Sequence, residues 1–289
     1  MHPPTAPPDQ PGCPNLHPDN TDSYDKETVM HTSQLLDPPT SLSSPPIRPL
    51  RMSTLLSVEL RKSTDTRSGR ALLALIVGLI AMVLVWKITH PLIDTTFHSY
   101  SLAAANAVAF LAPVIGLLAM TAEWTQRTAL TTFTSAPRRG PVIAAKFASA
   151  VILSLALAAI GMVLAFAATS IGGAVHSNGH ASFHGMAGDI RSFAIIVVLQ
   201  VVMGCAFGAL AGQTAVALVG YFVAPTVWSS VSSQLLKGLS PWFDIYSAYG
   251  QLSSDHPTQH LAQSLTAIGV WVVLPTIVGV ARTLRREVK

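Results

Sequence analysis

Residues 71–86 read ALLALIVGLIAMVLVW, without a charged or hydrogen-bonding side chain until the closing Trp86. Wound as an α-helix they cover about 24 Å of a hydrocarbon core about 30 Å thick. A helix that is apolar on every side has no face to give to water, so this stretch places the chain in a membrane. Working outward, five more runs of the same kind follow: residues 102–122, about 142–171, 193–212, 215–229 and 264–281. Composition agrees. Of 289 residues only 11% are charged and 50% are hydrophobic, with a mean hydropathy of +0.46. Soluble domains carry about 25% charged residues. So few charges cannot cover a water-exposed surface, and the expected fold is all-α with six transmembrane helices. Pro113, Pro225 and Pro275 fall inside the runs. Neighbouring helices can re-satisfy the backbone groups a proline frees, so these are expected to bend helices rather than end them.

Residues 1–51 are a different material. Twelve of the 20 prolines lie there, with almost no apolar clustering. Such a segment cannot bury enough surface to offset the entropy of ordering it, and it is expected to be a disordered extension. A Pro-rich docking arm is the alternative. It lacks the basic start and apolar centre of a secretory signal. Met52 opens MSTLLSVELRKSTDTRSGR, a plausible natural start, so the domain division is 1–51 and 52–289. In residues 53–70, Leu55, Leu56, Val58 and Leu60 alternate with Glu59, Arg61 and Lys62. A basic amphipathic stretch before a span can lie in the membrane interface; the alternative is a solvated leader.

Thirteen Lys and Arg lie on one side: Arg51 to Arg70, Arg127 to Lys146 and Arg282 to Lys289. Lys87, Arg191 and Lys237 lie on the other. This bias predicts that both termini and the connector between spans two and three are cytoplasmic. The net charge of +4 therefore bears on orientation, not on nucleic acid. Lys146, in the first turns of span three, is expected to send its head to the surface along its stem.

No Asp or Glu falls inside the six runs; Glu123 and Asp189 stand at their ends. Gradient-driven transporters place ionisable groups or an equivalent ion site at the membrane midplane. Intramembrane enzymes need an acid, a base, a metal or a paired nucleophile. A GxxxxGK[ST] phosphate loop is also missing. No catalytic residue, cofactor or metal site is expected, and energy for any uphill transport must come from another chain.

The connector AEWTQRTALTTFTSAPRRGPVIAAK, residues 122–146, is where such a chain could act. Residues 123–135 suit three turns of helix, with Glu123 near the N-terminal end, where the helix dipole favours an anion. Trp124, Arg127 and Thr128 share one face, and Leu130 and Phe133 form an apolar ridge. Pro137 stops the helix, and Arg138, Arg139 and Gly140 turn the chain back. Two readings stand side by side: a helix gripped by a partner's groove, or a loop anchored to head groups by its arginines.

These residues resemble the ABC transporter permeases of the type-2 exporter class, especially those of high-GC Gram-positive bacteria. The likeness covers about residues 53–289. It rests most on the connector, and also on LLSVELRKSTDTRSGR, FGALAGQTAVALVGYFVAPTVWS and the ending GVARTLRREVK. It implies a bacterial plasma-membrane efflux permease that pairs with a second copy or a paralogue and recruits two ATPase subunits. It implies an interfacial elbow helix carrying Glu59, Arg61 and Lys62, and a short coupling helix between spans two and three. Glu123 resembles the acidic residue heading that helix, and Thr128, Pro137, Arg138 and Lys146 match the class's Thr, Pro-Arg and Ala-Lys positions. The rivals are a stand-alone secondary transporter or channel, and a non-transporting scaffold.

Three other features stand out. His176, His180 and His184 have a spacing that would line one helix face and could hold zinc or copper, but Asn178, Gly179 and Gly185 favour turns. Residues 240–252 hold Trp242, Phe243, Tyr246 and Tyr249 and suit a re-entrant or interfacial helix. Gly204, Gly208 and Gly212 permit close helix packing, within or between subunits. Cys13 and Cys205 lie in such different surroundings that no disulfide is expected.

Overall fold

The computed structural model describes residues 51–90, 95–125, 139–176, 181–254 and 256–285. Leu50–Lys289 forms one compact unit, and residues 1–50, with nearly all of the Pro-rich extension, lie outside the described residues. In chain order the helices are α1 (Met52–Asp65), α2 (Arg67–Thr89), α3 (Phe97–Thr125), α4 (Arg139–His176), α5 (Met186–Ala211) and α6 (Thr214–Leu235). A 3₁₀ turn, Lys237–Leu239, leads to α7 (Ser240–Phe243) and α8 (Ile245–Leu252). The last helix runs through α9 (Leu261–Ile268), a π-helical turn (Gly269–Val273) and α10 (Leu274–Arg285). Among the described residues the only strand-like pairing is an isolated bridge between Thr96 and Ser182.

Six helices are long and apolar enough to cross a membrane: α2, α3, α4, α5, α6 and the continuous Leu261–Arg285. The chain is a multi-pass membrane protein. Its outward surface explains how: Val163 is 68% exposed, Phe110 64% and Met82 61%, a surface suited to lipid and costly in water. The helices pass through Pro113 and Pro225 unbroken. At Pro275 the backbone adapts differently. The ring cannot donate a hydrogen bond and crowds the turn before it. The helix widens there into the π turn, where the Leu274 N–H reaches the Gly269 carbonyl five residues back.

The centre of the bundle is the seam between α3 and α5. A Cβ on Gly204 would stand 2.2 Å from the Pro113 carbonyl oxygen, and one on Gly116 would stand 2.3 Å from that of Val201. The two backbones touch, which only glycine permits. Gly204 and Gly208 thus serve packing within one chain. Gly212 does something else. At φ 68° it closes α5 in the left-handed region, and its N–H donates to the Gly208 carbonyl. On the other side of α5, Gly279 of α10 lies against the Ala206 carbonyl. α2 adds the buried stripe Ile76, Ile80 and Leu84.

Candidate functional site

The end of the bundle that carries α1, the start of α4 and the end of α10 holds most of the basic residues, and is called here the basic end. Among the described residues it contains the one acid–base pair that is fully withdrawn from solvent. Glu59 projects inward from α1 and Lys146 inward from the second turn of α4. Lys146 Nζ donates to both Glu59 carboxylate oxygens at 3.1 Å, with the residues 3% and 8% exposed. A buried charge is costly unless paired and hydrogen-bonded, and each of these supplies the other's partner. This corrects the expectation that Lys146 reaches the surface. An opposite charge within hydrogen-bond reach replaces the water its head group would otherwise seek.

The orientation of α1 follows from that pair. Its carboxylate Glu59 faces the protein, while Met52 and Val58 are 43% and 55% exposed. The open side is mixed, with exposed Ser53, Thr54, Ser57 and Arg61 beside those two apolar residues. Arg61 pairs with Asp65 at 3.1 Å on the open side, where both side chains are mostly exposed and the pair adds little. One residue, Thr66, separates α1 from α2. Its Oγ1 accepts from the Gly69 N–H and caps α2. A Cβ on Gly69 would fall 1.9 Å from the Ser63 carbonyl oxygen, so the sharp bend requires glycine.

Behind this bend is a cavity of about 220 Å³, walled by α1, α2, α3, α4 and α6. Its inner surface is apolar, with Leu72, Leu118 and Leu153, while Lys62, Ser63 and Ser68 stand at its α1–α2 side.

Of the connector residues, Arg127, Thr128, Leu130, Phe133, Pro137 and Arg138 lie outside the described residues. Glu123 and Trp124 belong to the last turn of α3. Glu123 therefore stands in the last turn of a long helix, not at the start of a new one. Arg139 is the first residue of α4.

The opposite end is tied by several polar contacts. Lys87 Nζ, at the end of α2, donates to the Ser99 carbonyl at 2.7 Å and to its hydroxyl, and lies 5.2 Å from the Tyr100 ring centre. His176 of α4 bonds the Ile88 carbonyl at 2.7 Å. His98 Nδ1 meets the Asp189 carboxylate at 2.7 Å, linking the starts of α3 and α5; Asp189 lies in the first turn of α5, where the dipole favours it. Of the histidine triplet, His180 lies outside the described residues, His176 is engaged as above and His184 is exposed. Among the described residues no three His, Cys, Asp or Glu side chains gather as a metal site would require.

The aromatic stretch becomes the short helices α7 and α8 rather than one helix. Asp244 separates them because its carboxylate accepts the Tyr246 N–H and caps α8. Phe243 and Tyr246 remain 36% and 47% exposed, as at a membrane boundary, while Tyr249 turns inward toward the Met203 sulfur at 3.9 Å. Burial, helped by the neighbouring Tyr246, pushes the Tyr249 phenol well above its ordinary pKa. The Trp271 indole N–H donates to the Phe243 carbonyl at 2.7 Å, holding this segment against the last span.

Reading residue by residue does not reveal the Glu59–Lys146 pair. Half of the signal was present: a lone lysine inside an apolar run, whereas Glu59 stands in a leader that also holds Asp65, Arg61 and Lys62. Comparison with family models gives no match, and neither does comparison with curated proteins.

Proposed function

We propose that the chain is the permease subunit of an ATP-driven exporter of the type-2 ABC class, in a bacterial plasma membrane with both termini cytoplasmic. Two copies, or one copy and a paralogue, line the pathway, and two separate ATPase subunits drive it. The observation that carries this reading is where the charges are. The apolar runs hold no acidic residue, and the withdrawn Glu59–Lys146 pair sits at the basic end, not at the midplane where a gradient-driven carrier binds its ion. Energy then has to enter from outside, and residues 123–139 are the connector at that same end. In this reading α1 is the elbow helix, its hold on α4 set by Glu59. Closure of the ATPase pair on ATP pushes the connector, and α3 and α4 carry the displacement into the membrane.

The test is co-expression with an ATPase encoded beside it, followed by co-purification and transport at equal permease level. Phe133→Ala is expected to weaken ATPase binding by about 2 kcal/mol, as for a truncated aromatic anchor. Glu123→Ala is expected to spare binding and slow transport, since interfacial charges set register. If both variants bind and transport like the parent, or if the chain alone transports on an ion gradient, the proposal fails.

A further inference from the structure

The cavity behind the α1–α2 bend is too large for a packing defect. Its volume is about 220 Å³, and Leu72, Leu73, Ile115, Leu118 and Leu153 form its inner wall. An apolar cavity of about 150 Å³ already stays dry and takes a benzene ring. Left empty, a space of this size forfeits dispersion contacts along its whole lining.

The polar groups of the lining are committed to partners in the protein. Glu59 is held by Lys146 at 3.1 Å, and Lys62 has a partner of its own. The Ser63 hydroxyl donates to the Glu59 carbonyl at 3.0 Å. Thr66 accepts the Gly69 N–H at 3.1 Å, and Thr214 shares a hydrogen bond with Thr121 at 2.9 Å. Ser68 lies at the exposed margin. A guest that brought in a charge or a strong hydrogen-bonding group would have to break one of these contacts or leave its lost hydration uncompensated. A guest without such groups gives up nothing polar and gains the leucine and isoleucine wall. The cavity therefore selects by apolarity and size, and its charges select nothing. Molecules of that kind collect in the bilayer, so they reach the bend without crossing water.

We propose that this cavity is a binding site for one neutral hydrocarbon group of ring size, either a benzene ring with a short alkyl substituent or a stretch of lipid tail of the same bulk. The guest fills the joint between α1 and the bundle.

The experiment uses the full chain in phosphatidylcholine nanodiscs and a neutral phenyldiazirine, a ring-sized compound that inserts into neighbouring side chains on illumination. Labelled positions are mapped by peptide mass spectrometry. Labelling at Leu153 is expected to saturate and to be displaced by excess n-butylbenzene. Val163, 68% exposed on the outer surface of the same helix, is expected to label without saturating. Measured relative to Val163, a carboxylate-bearing version of the compound is expected to label Leu153 at least about tenfold less, since its charge would be buried unpaired. Leu118→Trp fills the cavity and is expected to abolish labelling at Leu153. Size-exclusion profile and helicity establish that the variant is folded; should it fail this, Ala119→Phe fills the same space. A phosphatidylcholine carrying the diazirine in one tail separates the two sources. Its labelling of Leu153 identifies a lipid tail as the resident guest; labelling by the free ring alone identifies a free hydrocarbon. The proposal is overturned if labelling at Leu153 does not saturate, if the carboxylate version labels it equally well, or if a folded, filled variant labels like the parent.

Discussion

The α1–α4 junction at the basic end and the opposite end of the bundle are held in different ways. At the basic end the joining of α1 to α4 is concentrated in one withdrawn ion pair, Glu59 with Lys146, beside a cavity. At the opposite end the work is divided: Lys87 on Ser99, His176 on the Ile88 carbonyl, His98 on Asp189, and Trp271 on the Phe243 carbonyl, each tying a different pair of segments. A concentrated contact is strong while intact and is lost whole when one partner goes, because the survivor is left charged and buried. Divided contacts are individually weak, and the loss of one leaves the rest in place. The hold of α1 on α4 is therefore the contact that a single event can release, while Thr121 on Thr214 and Thr283 on the Ala209 carbonyl tie other helices at the same end.

The sharpest way to break this contrast is Lys146→Ala. It strands the Glu59 carboxylate and is expected to cost about 3–5 kcal/mol, read as a lower melting temperature of the detergent-purified protein and a reduced membrane level. The double change Glu59→Gln with Lys146→Met removes both charges together and is expected to return to within about 1 kcal/mol of the parent. If Lys146→Ala melted like the parent, the pair would be incidental and the contrast would be lost. Next in size is Lys87→Met at the opposite end. It removes a charged donor from the Ser99 carbonyl and a cation from the Tyr100 ring, and is expected to cost about 1–2 kcal/mol in the same melt. A loss as large as that of Lys146→Ala would show that a junction at this end, too, hangs on one residue. The smallest effect is expected for His98→Gln. His98 is half-exposed and Asp189 only 12% exposed, but the Gln amide can still donate to that carboxylate, so stability should shift by less than about 1 kcal/mol.

The six spans were legible because length and hydropathy alone select them; what composition could not give was their ends. α4 runs from Arg139 to His176, well beyond the apolar residues 142–171, and α5 begins at Met186, through Asp189 and Arg191. Backbone hydrogen bonding continues into polar sequence once a helix is nucleated, and the bilayer sets only its middle. The glycine spacing in α5 showed that something packs closely there. Its partners, Gly116 and the Pro113 carbonyl, lie on another helix, and no local pattern names them. The candidate site was legible by halves. Lys146 was conspicuous as a charge in apolar surroundings, whereas Glu59 was one of several charges in the leader. But 87 residues separate them, and a pairing over that distance is a property of the packed bundle. The prolines show the same limit: Pro275 was readable as a bend, whereas its π turn depends on how the helix relaxes around the ring.

The seam between α3 and α5 has a mechanical consequence. Where Gly116 meets the Val201 carbonyl and Gly204 meets the Pro113 carbonyl, no side chain stands between the backbones to change rotamer and let one helix slide along the other. The two helices are riveted and translate only as one stiff beam. The span α6 is the contrast: its Val216, Val219 and Val223 are half-exposed or more, and it meets the bundle through flexible side chains such as Phe222 against Phe110. Strain applied to the end of α3 is thus shared at once by α5, and the compliance of the molecule lies at α6.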